Sequence, residues 1–212
     1  MPDLVHVTYA QTGESTNTND KGMRAMQARA FEQRASQYLL IKAPPASGKS
    51  RALMFIGLDK LHNQGLDKVI VAVPERSIGG SFGYTELTKF GFFADWNINP
   101  HYNLCTSASN QSKVKTFKEF LDSDERILIC THATLRFAYQ ELEDSAFDNI
   151  LLAIDEFHHV SANGDNVLGD VLRALIENST AHIVAMTGSY FRGDSVSILT
   201  PEDEMKFDKV SF

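Results

Sequence analysis

The chain has 212 residues, 43% of them hydrophobic and 22% charged, which suits one sizeable globular domain and argues against a disordered or low-complexity polymer. A formal charge of −7 argues against nucleic-acid binding through overall basicity, so any such contact belongs to a local surface. Cys105 and Cys130 lie far apart without a C-x-x-C pair, no apolar run reaches the length of a membrane span, and the first residues lack a signal-peptide core. A cytoplasmic protein without a disulfide framework, zinc ribbon or membrane partner is the expectation.

Residues 4–10 suit a short strand and 11–20 a polar arm. A helix is predicted over 22–36 from the spacing of Met23, Met26, Ala30 and Phe31, with Asp20 as its cap. Tyr38, Leu39, Leu40, Ile41 and Lys42 form a short strand-type run. It leads into Ala43-Pro44-Pro45-Ala46-Ser47-Gly48-Lys49-Ser50, and a helix is predicted from Lys49 to about residue 63, stopping near Gly65. Val69–Val73 is wholly apolar and β-branched, as a strand buried on both faces should be. Residues 76–100 read as loops around short helices. Their aromatic group at 90–96 can stack on a base, but core or domain-interface packing suits it better. A strand is expected over 103–106, a helix over 113–121, a strand over 126–131 and a helix over 133–142. Then come a strand over 150–154, a helix over 167–176 and a strand over 182–186. Beyond Gly188 the pattern fades into a polar end at 201–209. Lys113, Lys115 and Lys118 read as a solvated basic face.

Five apolar strands alternating with helices predict an α/β fold with a parallel β-sheet covered by helices on both faces. In such sheets ligands bind at the carboxyl ends of the strands. The candidate residues fall there. A-x-x-x-x-G-K-S between a strand and a helix is a phosphate-binding loop with alanine in place of the first glycine. Backbone N–H groups of Ala46, Ser47 and Gly48 would cradle the phosphates, Lys49 would reach the outer ones and the Ser50 hydroxyl would hold Mg²⁺. Asp155-Glu156 directly follows the 150–154 strand. Two carboxylates there favour a cation, so Asp155 is placed to bind Mg²⁺ and Glu156 to deprotonate an attacking water. An acidic helix start is the plainer explanation of the same pair.

Several further stretches, in order, carry a resemblance. Arg24-Ala25-Met26-Gln27 precedes the loop. Val73-Pro74-Glu75-Arg76-Ser77, Cys130-Thr131-His132-Ala133-Thr134-Leu135, Asp155-Glu156-Phe157-His158 and Thr187-Gly188-Ser189 follow it. Over about residues 23–190 the sequence resembles the first RecA-like domain of superfamily 2 helicases, the DEAD/DEAH-box group, and is nearer to the DEAH and restriction-enzyme motor type. The resemblance implies a RecA-like P-loop NTPase fold over 21–212 and an ATP- and Mg²⁺-dependent helicase or translocase. In it Gln27 would read the adenine edge, Arg76 and Thr131 would contact a DNA or RNA backbone, and His158 and Thr187 would couple the two sites. It also implies a second RecA-like domain that supplies arginine fingers. The chain is too short to hold both, so it reads as part of a longer protein or as a half-motor needing a partner, a binder of ATP that hydrolyses it slowly when alone. A phosphate-loop NTPase of another kind, or a nucleotide-gated binding module without turnover, is the alternative.

Overall fold

The structure is a computed structural model that describes residues 18–106, 112–157, 167–188 and 201–211. Its centre is a six-stranded sheet built from β1 (Tyr38–Lys42), β2 (Lys68–Val73), β3 (Ile127–Thr131), β4 (Ile150–Ile154), β5 (His182–Thr187) and β6 (Asp208–Ser211), in the order β3-β2-β4-β5-β1-β6. Every pairing is parallel, so all strands end on the same edge.

Side chains alternate between the two faces, as the period of two requires. Val69, Val71 and Val73 of β2 join Ile129, Ala153, Val184 and Ile41 in one core. Ile70 and Ala72 join Leu128, Leu152 and Ile183 in the other. Helices α1 (Ala25–Glu32) and α2 (Lys49–Asn63) cover the first face, α3 (Lys113–Asp122), α4 (His132–Tyr139) and α5 (Val167–Asn178) the second. The expected α/β architecture, helices on both faces of a parallel sheet, is found.

Five local expectations need correction. Helix α4 ends at Tyr139, short of the expected residue 142. Helix α1 is shorter than 22–36, and Asp20 does not cap it. Asn19 shapes the approach instead, its Oδ1 accepting from the N–H groups of Lys21 and Met23 at 3.0 and 2.9 Å. Residues 103–106 do not form a strand. Asn103 makes an isolated bridge to Ile129, then its own carbonyl oxygen and side-chain oxygen take the N–H groups of Thr106 and Cys105, turning the chain away. The 126–131 strand begins one residue later than expected. The polar end is also not structureless: a short helix α6 (Pro201–Glu204) leads into β6, which pairs with β1. The expected strand at 4–10 lies outside the described residues.

The aromatic group divides. Trp96 and Phe92 are buried on the α1/α2 face, with Trp96 Nε1 donating to the Phe82 carbonyl at 2.9 Å, whereas Phe90 and Phe93 stay half-exposed. The basic face of α3 is solvated, with Lys115 paired to Glu119 and Lys118 to Glu141. Both cysteines are buried and unbridged, and no helix among the described residues is long and apolar enough to cross a membrane.

At the opposite, amino-terminal edge of the sheet, Lys60 is fully buried. Its ammonium donates to Ser36 O at 2.9 Å, Gln64 Oε1 at 3.4 Å and His182 Nδ1 at 2.8 Å. Burial pushes the lysine down to about 8; burial and the facing ammonium push His182 down to about 4. The native imidazole thus stays neutral where the unfolded one protonates. That stability is present above pH 6.5 and is lost as pH falls towards 4, by about 3 kcal/mol. Asp155, raised to about 6, acts in the opposite sense over its own window, so the effect is best read as a difference. Urea unfolding of the wild type should lose about 3 kcal/mol more between pH 7 and pH 4 than His182→Asn, whose amide oxygen still accepts from Lys60. Equal losses would contradict the assignment.

Candidate nucleotide site

Three strand ends build the site: the 43–50 loop after β1, Asp155-Glu156 after β4, and Thr187-Gly188 at the end of β5. Because β5 lies between β4 and β1, the loop and the acidic pair face each other across the end of β5. The start of the loop is tied to that strand, Ala43 N donating to Thr187 O at 3.1 Å.

Within the loop, Ala43 packs into the core and has no left-handed backbone. Alanine is therefore tolerated where the usual pattern has glycine. The conformational demand falls further on, at Ala46 (φ 61°) and Gly48 (φ 90°). Gly48 is fixed twice over, since a Cβ there would also lie 2.5 Å from Gln27 Nε2. Ala46 is exposed and bears the left-handed cost without visible compensation. Ala46→Gly should raise the unfolding free energy by about 0.5–1 kcal/mol, the relief of the left-handed penalty less the added chain entropy. A urea midpoint at or below the wild-type value would refute this.

Lys49 is buried at the first position of α2. Its ammonium donates to the carbonyls of Ala43 at 2.9 Å and Pro44 at 3.3 Å and faces Glu156 Oε1 at 3.5 Å. The other Glu156 oxygen accepts from Gly188 N at 3.2 Å. A side chain on Gly188 would press on both charges, its Cβ 3.2 Å from Lys49 Nζ and 3.3 Å from Glu156 Oε2. Glu156 itself has φ 47°, a conformation that costs an L-residue about 1–2 kcal/mol and aims its carboxylate back across the sheet end. Asp155 is buried, its N–H bonded to Ala72 O on β2 at 2.9 Å and its Oδ1 accepting from Glu156 N at 3.0 Å. Burial, then the neighbouring Glu156 charge, raise its pKa to about 6 against the pull of Lys49.

Gln27 is buried, with Oε1 accepting from Arg24 N at 2.8 Å and Nε2 donating to Gly48 O at 3.2 Å. It is thus a brace between α1 and the loop, a contact that sequence spacing does not announce. Thr131 caps α4: its Oγ1 takes Thr134 N at 3.2 Å and lies 3.0 Å from Thr134 Oγ1. Beside it, His132 reaches over the end of β2 and places Nε2 3.0 Å from the Asp155 carbonyl. His132 lies inside the 130–135 stretch but carries no role there; only the strand order brings it to Asp155. Arg76 is exposed beyond β2, its Nε donating to Cys105 O at 3.1 Å. His158 lies outside the described residues, and Thr187 closes β5.

Two features fit a phosphate ligand with its cation. Among the described residues, Ser47 Oγ is the one buried side-chain polar atom without a hydrogen-bond partner, and it sits in the loop. No group of three or more His, Cys, Asp or Glu side chains among the described residues is arranged to hold a metal alone. Ser50 in the first turn of α2 and Asp155 just after β4 carry oxygen donors of the kind Mg²⁺ takes together with water and phosphate oxygens.

Known proteins resemble the chain in sequence and in fold. The family model for the DEAD/DEAH box helicase matches residues 24–193. The chain is 66% identical over 212 residues to YeeB of Bacillus subtilis (strain 168), a candidate ATP-dependent helicase, and spans about 35% of that relative's length. Among solved structures it is similar to the Hef helicase domain of Pyrococcus furiosus, with TM-score 0.59 and 17% identity, covering 89% of this chain and 38% of that one. It is also similar to the UvsW helicase of bacteriophage T4, with TM-score 0.57 and 15% identity, covering 92% and 62%. A third is the helicase MrfA bound to DNA and AMPPNP, with TM-score 0.58 and 16% identity, covering 89% and 26%. The distant structural likenesses establish the RecA-like fold, and the match over most of the chain establishes more: the chain belongs to the DEAD/DEAH box helicase family.

Proposed function

We propose that the chain is the ATP-binding half of a nucleic-acid helicase or translocase motor, and that its residues act as follows. Backbone N–H groups of Ala46, Ser47 and Gly48 hold the phosphates, with Ser47 Oγ as an added donor, and Lys49 pairs with the outer phosphates. Ser50 and Asp155 hold Mg²⁺, which neutralises phosphate charge. Glu156 takes the proton of the attacking water. Gln27 reads the adenine edge with the hydrogen and lone pair left over from its two internal bonds. Arg76 and Thr131 meet a DNA or RNA backbone, and His158 and Thr187 carry the nucleotide state between the sites. A second RecA-like domain, in the same or a partner chain, completes the cleft, and the working location is cytoplasmic.

The observation that carries this reading is the arrangement of Lys49 and Glu156. One carboxylate oxygen lies 3.5 Å from the ammonium and the other is held by Gly188 N. Cation, base and the residue after β5 thus meet at one point. Phosphate arriving at Lys49 competes with Glu156 for the ammonium and frees the carboxylate to act as a base. Gly188, just past the strand between, feels that change directly, and Thr187 through it.

The test is ATP hydrolysis by the full protein with and without DNA or RNA. Stimulation by nucleic acid is expected; turnover indifferent to every nucleic acid would point to another kind of phosphate-loop enzyme, and binding without turnover to a nucleotide-gated module.

A further inference from the structure

Parallel pairing fixes which donor the carbonyl after β4 should meet, and that donor position holds a proline. Strands β2 and β4 pair with Ala72 opposite Ile154, so the next level sets Val73 opposite Asp155. In a parallel ladder a residue donates to the one before its opposite number and accepts from the one after it. The first half is kept, Asp155 N donating to Ala72 O at 2.9 Å. The second half falls on Pro74, which has no N–H to give. The donor comes instead from the strand on the far side of β2. Thr131 of β3 lies opposite Val73, so His132 begins level with Pro74, and its Nε2 stands 3.0 Å from the Asp155 carbonyl oxygen. A carbonyl oxygen only accepts, so Nε2 carries the hydrogen.

That carbonyl belongs to the peptide joining Asp155 to Glu156. The other end of the same peptide is held too, Glu156 N donating to Asp155 Oδ1 at 3.0 Å. Two side chains thus set the plane of the peptide where the ladder no longer does, and Glu156 follows it with φ 47°. Such a backbone persists only where its surroundings hold it. From there the carboxylate reaches Lys49 Nζ at 3.5 Å and Gly188 N at 3.2 Å. We propose that His132 is a positioning residue for ATP hydrolysis. By holding the Asp155 carbonyl in place of the N–H that Pro74 lacks, it keeps Glu156 in the left-handed backbone that aims the base. It acts through Glu156 and not on the substrate.

The inference rests on Glu156 as the base, and the experiment separates the two. ATP affinity and single-turnover hydrolysis are measured side by side in the full protein. His132→Phe keeps a ring and loses the donor; it should slow hydrolysis about tenfold and leave ATP affinity unchanged. His132→Gln, whose amide N–H can stand where the Nε2 hydrogen stood, should recover most of the rate. Introduced into Glu156→Gln, His132→Phe should slow the residual reaction no further, since the base it aims is already gone. Four results would each overturn the positioning role: an unchanged rate in His132→Phe, an equal loss of ATP affinity, a glutamine variant as slow as the phenylalanine one, or the same tenfold loss in the Glu156→Gln background. If Glu156→Gln itself turns over normally, the base assignment falls and His132 falls with it. If Glu156→Gln is slow and His132→Phe is not, only the positioning role falls.

Discussion

Lys49→Ala should weaken ATP binding by roughly 10²- to 10³-fold. The ammonium is buried and is the shared partner of the Ala43 and Pro44 carbonyls and the Glu156 carboxylate. Truncation removes the cation meant for the outer phosphates and leaves a carboxylate facing the place where they must sit. The remaining charge then repels the ligand instead of being neutralised. The effect therefore exceeds the loss of one hydrogen bond, which is worth about 1 kcal/mol. Equilibrium titration with a fluorescent ATP analogue measures it, alongside a urea melt to show that the variant is folded. Affinity within threefold of the wild type would remove the phosphate loop from the account.

The second large effect separates binding from chemistry. Glu156→Gln should keep ATP affinity and lower single-turnover hydrolysis in the full protein by about 10²- to 10⁴-fold, the range a positioned general base contributes. Glutamine keeps the length of the side chain and an oxygen for Gly188 N, but it cannot accept the proton of water. The contrast with Lys49→Ala is the diagnostic: one variant loses the ligand, the other holds it unreacted. Retained turnover in Glu156→Gln would contradict the base assignment.

How much of this was legible in the residues follows from where each signal resides. Strands β1 to β5 announce themselves because strands covered on both faces are apolar along most of their length, as Val69–Val73 and Ile150–Ile154 are throughout. Strand β6 hides for the converse reason. At the sheet edge only Val210 is buried, and the segment leading into it is held by distant partners: Glu204 by Lys42, and Asp203 by Arg173. None of those pairings is visible in local pattern. The loop and the acidic pair were legible as residue types, since phosphate and metal chemistry demand lysine, hydroxyl and carboxylate at strand ends. Their conformations were not. Nothing about alanine or glutamate signals a left-handed backbone at Ala46 or Glu156, and the Gln27–Gly48 hydrogen bond joins residues 21 apart that only the packing of α1 brings together. His132 illustrates the same limit. Its meeting with the Asp155 carbonyl depends on β2 lying between β3 and β4, an order that sequence alone does not dictate.

That strand order has one more consequence. With β5 seated between β4 and β1, the backbone anchors of the acidic pair and of the loop stand two interstrand steps apart, about 9.6 Å. The sheet thus serves as a calliper whose jaws are opened by one strand's width, a dimension set by backbone hydrogen bonds and not by any side chain. Substitutions at the strand ends change what the jaws grip; only displacement of β5 changes how wide they stand.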